Sequence, residues 1–396
     1  MPSAYIIAGC RTPIGKLLGS LSGLSAPQLG AIAIREALRR AGLNSERVEE
    51  VIMGNVLSAG LGQAPARQAA LGAGLPPTVA ALTINKMCGS GLKAVMLADQ
   101  AIRAGDARCI VAGGMESMSR APFLLNGARA GWKFGDQQVV DSMIRDGLWC
   151  ACENLSMGAE ADYIANTCGV SRAEQDAFAL KSHQGASRAV ANGEFRDEIV
   201  PVEAPVRKGT VLVDRDEGPR DDASLESLAG LKASFEHQEG IERTVTAGNA
   251  SQISDGAAAV VVVDESTARS TTSSMKARIV ASATAGVAPK DVFIAPIPAV
   301  KAVLAKAKLE VADIDLVELN EAFAAQSLAC MGGLDLDPAK VNVRGGAIAL
   351  GHPIGASGAR VLVTLLYALK ARNRKRGLAA LCLGGGNAVA MIVELV

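Results

Sequence analysis

The chain has 396 residues, enough for two or three domains at about 150 each, and its 40 basic and 40 acidic residues cancel to a net charge of zero. That balance argues against nucleic acid or an anionic membrane as the main partner, since both reward positive charge, and the longest unbroken apolar runs, Ala257–Val263 among them, fall well short of the ~20 residues that a spanning helix needs. With 49 % apolar residues, 3 % aromatics and 42 glycines, the composition is that of a folded chain with a large core and close backbone approaches rather than a disordered one.

In chain order, the start (Met1-Pro2-Ser3-Ala4) lacks a cationic signal and runs into a strand-like Tyr5–Ala8. The eight cysteines (Cys10, Cys88, Cys109, Cys150, Cys152, Cys168, Cys330 and Cys382) are therefore expected as reduced thiols in the cytoplasm. A helix is expected from Ser25 to Ala41, where Leu29, Ile32, Ala33 and Leu38 recur at helical spacing and Gly42 supplies the stop. Val51–Asn55 reads as a strand. A long helix follows Cys88, with Leu92, Val95, Ala98 and Ile102 on one side and Gly105 at its end; Cys109–Gly114 is then a buried strand. Residues 121–247 hold both tryptophans and many charges, the mark of an inserted, more polar subdomain. Ala257–Val263 is a strand, and the polar stretch Glu265–Ser274 a junction. Beyond it come a strand at Ile314–Leu319, a helix at Ala322–Cys330, the glycine-rich Gly345–Leu350, a helix at Ala359–Ala371 and a buried strand at Leu378–Gly384. The basic cluster of Lys370, Arg372, Arg374, Lys375 and Arg376 sits past a helix end, where cations suit the dipole, and reads as a solvated face. The alternation is that of an α/β protein. Cys88-Gly-Ser-Gly with its helix and Val111-Ala-Gly-Gly parallels His352-Pro-Ile-Gly-Ala-Ser-Gly with its helix and Leu383-Gly-Gly-Gly, a weak sign of internal duplication.

Four segments carry candidate chemistry. Cys88, in Asn85-Lys-Met-Cys-Gly-Ser-Gly-Leu92, falls at a helix N-terminus, where free N–H groups and the dipole would lower a thiol pKa and receive an oxyanion; local pattern alone favours a buried structural cysteine. His352, between glycine-rich turns, is the natural general base for it, with only three histidines in the chain. His183 and His237 lie in charge-rich surroundings and read as surface residues. Cys382 ends a buried strand at a glycine corner and is either a proton carrier or a core thiol. Asn320-Glu-Ala-Phe323 follows a strand and places polar groups at its C-terminal end, where α/β sites lie. Cys150-x-Cys152 is the one close cysteine pair; without CxxC spacing or more histidines, no metal is expected.

Cys88-Gly-Ser-Gly, Asn320-Glu-Ala-Phe, Gly351-His-Pro-Ile-Gly and Cys382-Leu-Gly-Gly-Gly, in this order and at this spacing, resemble the thiolases, most closely the short-chain acetoacetyl-CoA thiolases. The resemblance runs over essentially the whole chain and includes Ile110–Ser119 and Thr244–Gln252. It implies two thiolase-like α/β halves with mixed five-stranded sheets layered between helices: residues 1–120 with 248–270, and residues 271–396. The intervening residues 121–247 would be a loop domain for coenzyme A and oligomer contacts. It implies joining two acetyl-CoA to acetoacetyl-CoA and CoA, with thiolysis as the reverse. Cys88 would be the acyl-accepting nucleophile, His352 the base, and Cys382 the carrier of the α-proton. His352 and Asn320, through a water, would hold the enolate, and the N–H groups of Cys88 and Gly384 the tetrahedral intermediate. Arg220 and Ser227 match positions near the CoA nucleotide, and Ser251 one near the pantetheine. Acetyl-CoA, acetoacetyl-CoA and CoA are then substrates, no cofactor is required, and a homodimer or homotetramer is expected, with a tetramer loop around Ala121–Asp146.

Three positions depart from the family pattern: Arg344 replaces an asparagine, Ser156 stands where many biosynthetic members have histidine, and Asn387-Ala388 breaks the usual glycine continuation. A degradative 3-ketoacyl-CoA thiolase of broader chain length is the alternative, against which Gly355-Ala-Ser-Gly358 favours the short-chain reading. Cys382 argues against a decarboxylating ketoacyl synthase.

Overall fold

The computed structural model describes residues 3–396; Met1 and Pro2, where the reading of the N-terminus begins, lie outside them. The first half contains β1 (Ala4–Arg11), α1 (Ala26–Ala41), β2 (Glu50–Gly54), α2 (Pro65–Gly72), β3 (Ala80–Ile84), α3 (Ser90–Ala104) and β4 (Cys109–Ser117). A long excursion carrying α4 (Met157–Cys168) and α5 (Arg172–Ala191) returns to the sheet at β5 (Ser254–Asp264). The second half contains β6 (Ala277–Gly286), α6 (Pro296–Ala307), β7 (Leu316–Leu319), α7 (Ala324–Leu334), α8 (Ile354–Ala371), β8 (Arg376–Leu383) and β9 (Asn387–Leu395).

The duplication is plain in the strand order. The first half runs β3-β2-β4-β5-β1, parallel from β3 to β4 and antiparallel from there. The second runs β7-β8-β9-β6 in the same senses, with a single parallel bridge from Val317 to Val341 in place of a fifth strand. The halves join back to back where β1 meets β6, Tyr5 facing Arg278 and Ile6 facing Ala277, so that one continuous sheet crosses both.

Local chemistry accounts for the element ends. Ser25 precedes α1 and its N–H is taken by the Gln28 side chain at 2.8 Å, while Gly42 closes the helix at φ 62°. The polar junction after β5 begins as a short helix, Glu265–Ser270, because Asp264 accepts the Thr267 N–H at 2.9 Å and caps it. Helix α8 starts five residues before the apolar periodicity announces it, since Gly355 and Gly358 are poor helix formers held there by tertiary contacts. A Cβ on Gly358 would stand 2.3 Å from the Leu92 nitrogen, and one on Gly91 2.6 Å from the Ala359 nitrogen. Bare backbone therefore lets α3 and α8 touch at the centre of the molecule. Helix α8 is apolar and long enough to cross a membrane, but 83 % of it is buried between the strands of both halves; it is a core helix.

The excursion is tied down by buried polar groups. Asp162 accepts the Thr244 and Val245 N–H groups at 2.6 and 2.8 Å, and Asn249 donates to Asp176 at 3.0 Å. Arg344 explains its own departure from the family pattern. Its guanidinium, 2 % exposed, binds Glu194 at 3.0 Å and Glu198 at 3.2 Å, while Arg11 binds Glu198 and Asp216 at 2.6 Å each. Both halves thereby grip the end of the excursion's α5 region, away from the reactive thiols.

Candidate active site

Cys88 leaves β3 through a tight turn in which Met87 has φ 47°. Ser90 locks that turn: its hydroxyl accepts the Lys86 N–H at 2.8 Å and donates to the Met87 carbonyl at 2.6 Å. A side chain on Gly89 would come within 2.4 Å of Leu383, so the glycine lets the Cys88 turn lie directly against the end of β8. There the Gly384 N–H, with the cysteine's own N–H, favours the thiolate form of Cys88. Asn387 takes the Lys86 ammonium at 3.5 Å across the same junction, which gives that departure a local role.

His352 follows Gly351, whose φ of 111° and lack of a Cβ are both required; a Cβ would lie 2.2 Å from the Ser254 hydroxyl. The His352 N–H donates to Gln252 at 2.9 Å. Its ring is set by Ser357, one turn into α8. The Ser357 hydroxyl donates to the Pro353 carbonyl at 2.9 Å, so its oxygen is free to accept, and His352 Nδ1 lies 2.6 Å away. With the Ser357 hydroxyl committed to Pro353, Nδ1 carries the proton in this arrangement, and Nε2, which has no protein partner, is the bare basic nitrogen. Burial, with Arg360 adding to it, pushes the imidazole down to about 3, so it is neutral at ordinary pH. The Asn320 amide nitrogen lies 3.5 Å from Nδ1, donor beside donor, and its oxygen has no protein partner.

A cleft of about 670 Å³ opens over these groups, within the range of small-ligand sites. Cys88, His352, Cys382, Gly384 and Ser251 all line it. Its other walls are largely apolar, with Met157, Phe235 and Phe323 prominent, and its only lysine and arginine are the exposed Lys16 and Arg220, unaccompanied by a carboxylate. Asn320 is buried behind His352 instead of lining the wall, and Ser227 faces an adjoining hollow of about 190 Å³ shared with Arg220 and His183.

Two expectations fail. Cys88 is not a low-pKa thiol at rest: burial pushes it up to about 11, against which the Gly384 N–H and its own N–H act only in part, and nearby Glu116 pushes further. The dipole argument considers one helix end, whereas desolvation sums over everything packed around the sulfur. His183 is not a surface residue. It is 4 % exposed, its Nδ1 accepts the Arg220 N–H at 3.2 Å, and burial followed by Arg220 lowers it to about 4. Cys382, 2 % exposed, is pushed well above the usual thiol range by burial, then by Cys88 and Cys330, and carries its proton at neutral pH.

The sequence reading missed three supporting groups. Ser357 is one. The others are Glu116 and Asn55 at the strand ends of the first half. Glu116 accepts the N–H groups of Val56 (2.9 Å), Leu57 (3.2 Å) and Gly355 (2.9 Å) and the Asn55 amide (2.7 Å). It thus holds the start of α8, next to His352, onto the half that carries Cys88. Asn55 follows β2 as Asn320 follows β7, and the duplication was the signal that could have pointed to it.

The chain matches the family models "Thiolase, N-terminal domain" over residues 4–266 and "Thiolase, C-terminal domain" over residues 273–395. It is 52 % identical over 395 residues to an acetyl-CoA acetyltransferase of Escherichia coli, covering 100 % of this chain and 99 % of that one. Another acetyl-CoA acetyltransferase, from Cupriavidus necator, is also 52 % identical over 395 residues, with 100 % of each chain covered. Among solved structures, the crystal structure of the Bacillus anthracis acetyl-CoA acetyltransferase superposes with a TM-score of 0.96 at 40 % identity, covering 100 % of this chain and 99 % of that one.

Proposed function

The chain belongs to the thiolase family, and from that premise we propose that it is an acetyl-CoA C-acetyltransferase that interconverts acetoacetyl-CoA plus CoA with two acetyl-CoA through an acetyl-Cys88 intermediate. The observation that carries the reading is the meeting of two protonated thiols and a neutral imidazole with a bare Nε2 at the buried end of one cleft.

The protonation states suit the thiolysis direction step by step. His352 Nε2 takes the Cys88 proton as the sulfur attacks the ketone carbon of acetoacetyl-CoA. The resulting alkoxide is received by the N–H groups of Cys88 and Gly384. Its collapse breaks the carbon–carbon bond and releases the enolate of acetyl-CoA, which takes its proton from the Cys382 thiol. CoA then enters, yields its thiol proton to the Cys382 sulfur, and attacks the acetyl-Cys88 carbonyl. The Cys88 sulfur leaves and recovers its proton from His352. Condensation is the same sequence reversed. We assign the enolate oxygen to His352 and, through an ordered water, to Asn320; the unpaired Asn320 oxygen and His352 Nε2 are suitable partners for such a water.

We assign the CoA end to the outer cleft and its adjoining hollow, with Arg220 and exposed Lys16 facing the phosphates, Ser227 near the nucleotide and Ser251 on the pantetheine path. We assign residues 121–247 to a CoA-binding loop domain between the two thiolase halves. Its segment with exposed Phe123, Leu125, Trp132, Phe134 and Val139 is our candidate contact between copies of the chain. All eight cysteines are free thiols, in keeping with a reducing, cytoplasmic compartment. The test is acetoacetyl-CoA thiolysis in wild type and Cys88→Ala, with intact-protein mass after acetyl-CoA incubation. Turnover with an acetyl adduct that Cys88→Ala cannot form is expected; an inert wild type without adduct refutes the assignment.

A further inference from the structure

The cleft wall beside Cys382 is aromatic, and one of its rings is held by a carboxylate outside the cleft. Phe323 meets Phe293 edge-on at 5.1 Å and Phe235 at 6.1 Å, and the three rings share one apolar cluster with Cys382. Phe235 lies flat on the backbone of Gly158, where a Cβ would come within 2.2 Å of the ring. The ring can occupy that place only while the segment around Ser234–Glu236 stays pressed against the start of α4.

Together with Gln238, whose amide donates to the Ala159 carbonyl at 2.7 Å, Glu236 holds it there. Its carboxylate, which does not line the cleft, takes both donors of Ser156: the backbone N–H at 2.6 Å and the hydroxyl at 2.7 Å. Ser156 in turn caps α4, its oxygen accepting the Ala159 N–H at 3.2 Å, so the clasp is anchored on a twelve-residue helix and reinforced by the helix's positive end. The clasp spans the two segments that meet at Phe235: Met157 and Gly158 on one side, Ser234 and Phe235 on the other, all four in the cleft lining. The base of the 234–247 segment is held separately, by Ser234 N–H to Val245 at 3.1 Å and Arg243 to the Phe235 carbonyl at 3.1 Å, so loss of the clasp frees the ring without unravelling the segment.

We propose that the Glu236–Ser156 clasp is a specificity-determining device: by pinning Phe235 against Gly158 it closes the wall beside Cys382 to acyl chains longer than the acetoacetyl group. Glu236 is then a positioning residue that acts through Phe235. The inference rests on the thiolase reading of the cleft and adds to it the element that sets chain length.

The experiment measures kcat and KM for thiolysis of four-carbon and six-carbon 3-ketoacyl-CoA in wild type, Glu236→Ala, Ser156→Ala and the double variant. Freeing the ring is expected to raise the six-to-four-carbon ratio of kcat/KM about fivefold or more in Glu236→Ala, the scale on which a pocket discriminates a methylene or two. In Glu236→Ala the kcat for the four-carbon substrate should stay within twofold of wild type, and the double variant should match its six-to-four-carbon ratio, because without the carboxylate the Ser156 hydroxyl has no further part in the clasp. An unchanged ratio in Glu236→Ala overturns the proposal, as does a parallel fall in both kcat values, the mark of general damage to the wall. A wild type without four-carbon thiolysis would instead refute the thiolase reading itself.

Discussion

Replacing Ser357 by alanine tests whether the tautomer of His352 is set by the fold. The Ser357 hydroxyl is wholly buried and stands 2.6 Å from Nδ1. The Asn320 amide, 3.5 Å from Nδ1, is too distant in either orientation to replace that bond with one of similar strength. Alanine therefore leaves one of two poor choices: a buried N–H without a partner, or a proton moved to Nε2, where it disables the base. An orphaned buried donor costs about 1–3 kcal/mol, which at about 1.4 kcal/mol per decade predicts a kcat lower by roughly 5- to 150-fold. KM for acetoacetyl-CoA should hold within about twofold, since Ser357 does not line the cleft. Steady-state thiolysis gives both constants, and the rate of iodoacetamide alkylation at Cys88 reports the base directly, slowing with kcat. A Ser357→Ala enzyme within twofold of wild type in both turnover and alkylation would falsify the tautomer argument.

Cys382→Ala should still form the acetyl-Cys88 adduct from acetyl-CoA while losing thiolysis by at least about a hundredfold, as removal of a proton donor of this kind implies; mass spectrometry and turnover on one sample separate the two steps. For Arg344→Ala, which leaves the buried Glu198 to Arg11 and the Thr364 hydroxyl, we expect stability in urea titrations to fall by less than the ~3–5 kcal/mol of a wholly unpaired buried charge, with the kcat of the folded enzyme unchanged. His183, lowered to about 4 against 6.5 when unfolded, gives the unfolded chain one extra proton between those values, so stability is present above pH 6.5 and is lost as pH falls toward 4. His183→Gln, which keeps an acceptor for Arg220, should flatten the stability-against-pH curve in that window by about 1.4 kcal/mol per pH unit; an unaltered slope contradicts the buried, neutral assignment. Gly91→Ala should lose about 1–3 kcal/mol or more through its clash with α8, and activity with it, because that helix contact sets Cys88 against His352.

Much of the site was legible because its chemistry sits in short glycine motifs. Cys88 precedes two glycines that the structure shows pressed on Leu383 and Ala359, and His352 follows one that no other residue could replace. The motifs advertise their steric needs in the residues adjacent to the reactive group. What was not legible depended on partners far along the chain. Ser357 looks like any small helix residue until its hydroxyl is seen committed to Pro353, and Glu116 looks like any strand-end carboxylate until four donors converge on it. Arg344 read as an unexplained substitution, yet it is bound to glutamates about 150 positions away in sequence. The internal duplication, faint in the glycine pattern, became definite only as two matching strand orders, the second with a bridge in place of its fifth strand.

The α/β alternation, the helix ends at Ser25 and Gly42, the positions of the two reactive cysteines and the histidine, and the family to which they point can all be read from the order of the residues. These follow from dihedral preferences and apolar periodicity, which act over a few residues. The tertiary structure alone decided how those groups are charged and which face the cleft. Desolvation raised Cys88 where its helix end alone would have lowered it, and it buried His183 inside a charged stretch. Burial is a sum over neighbours that the fold brings together, and for groups as far apart as Cys88, His352 and Cys382 no local pattern contains that sum.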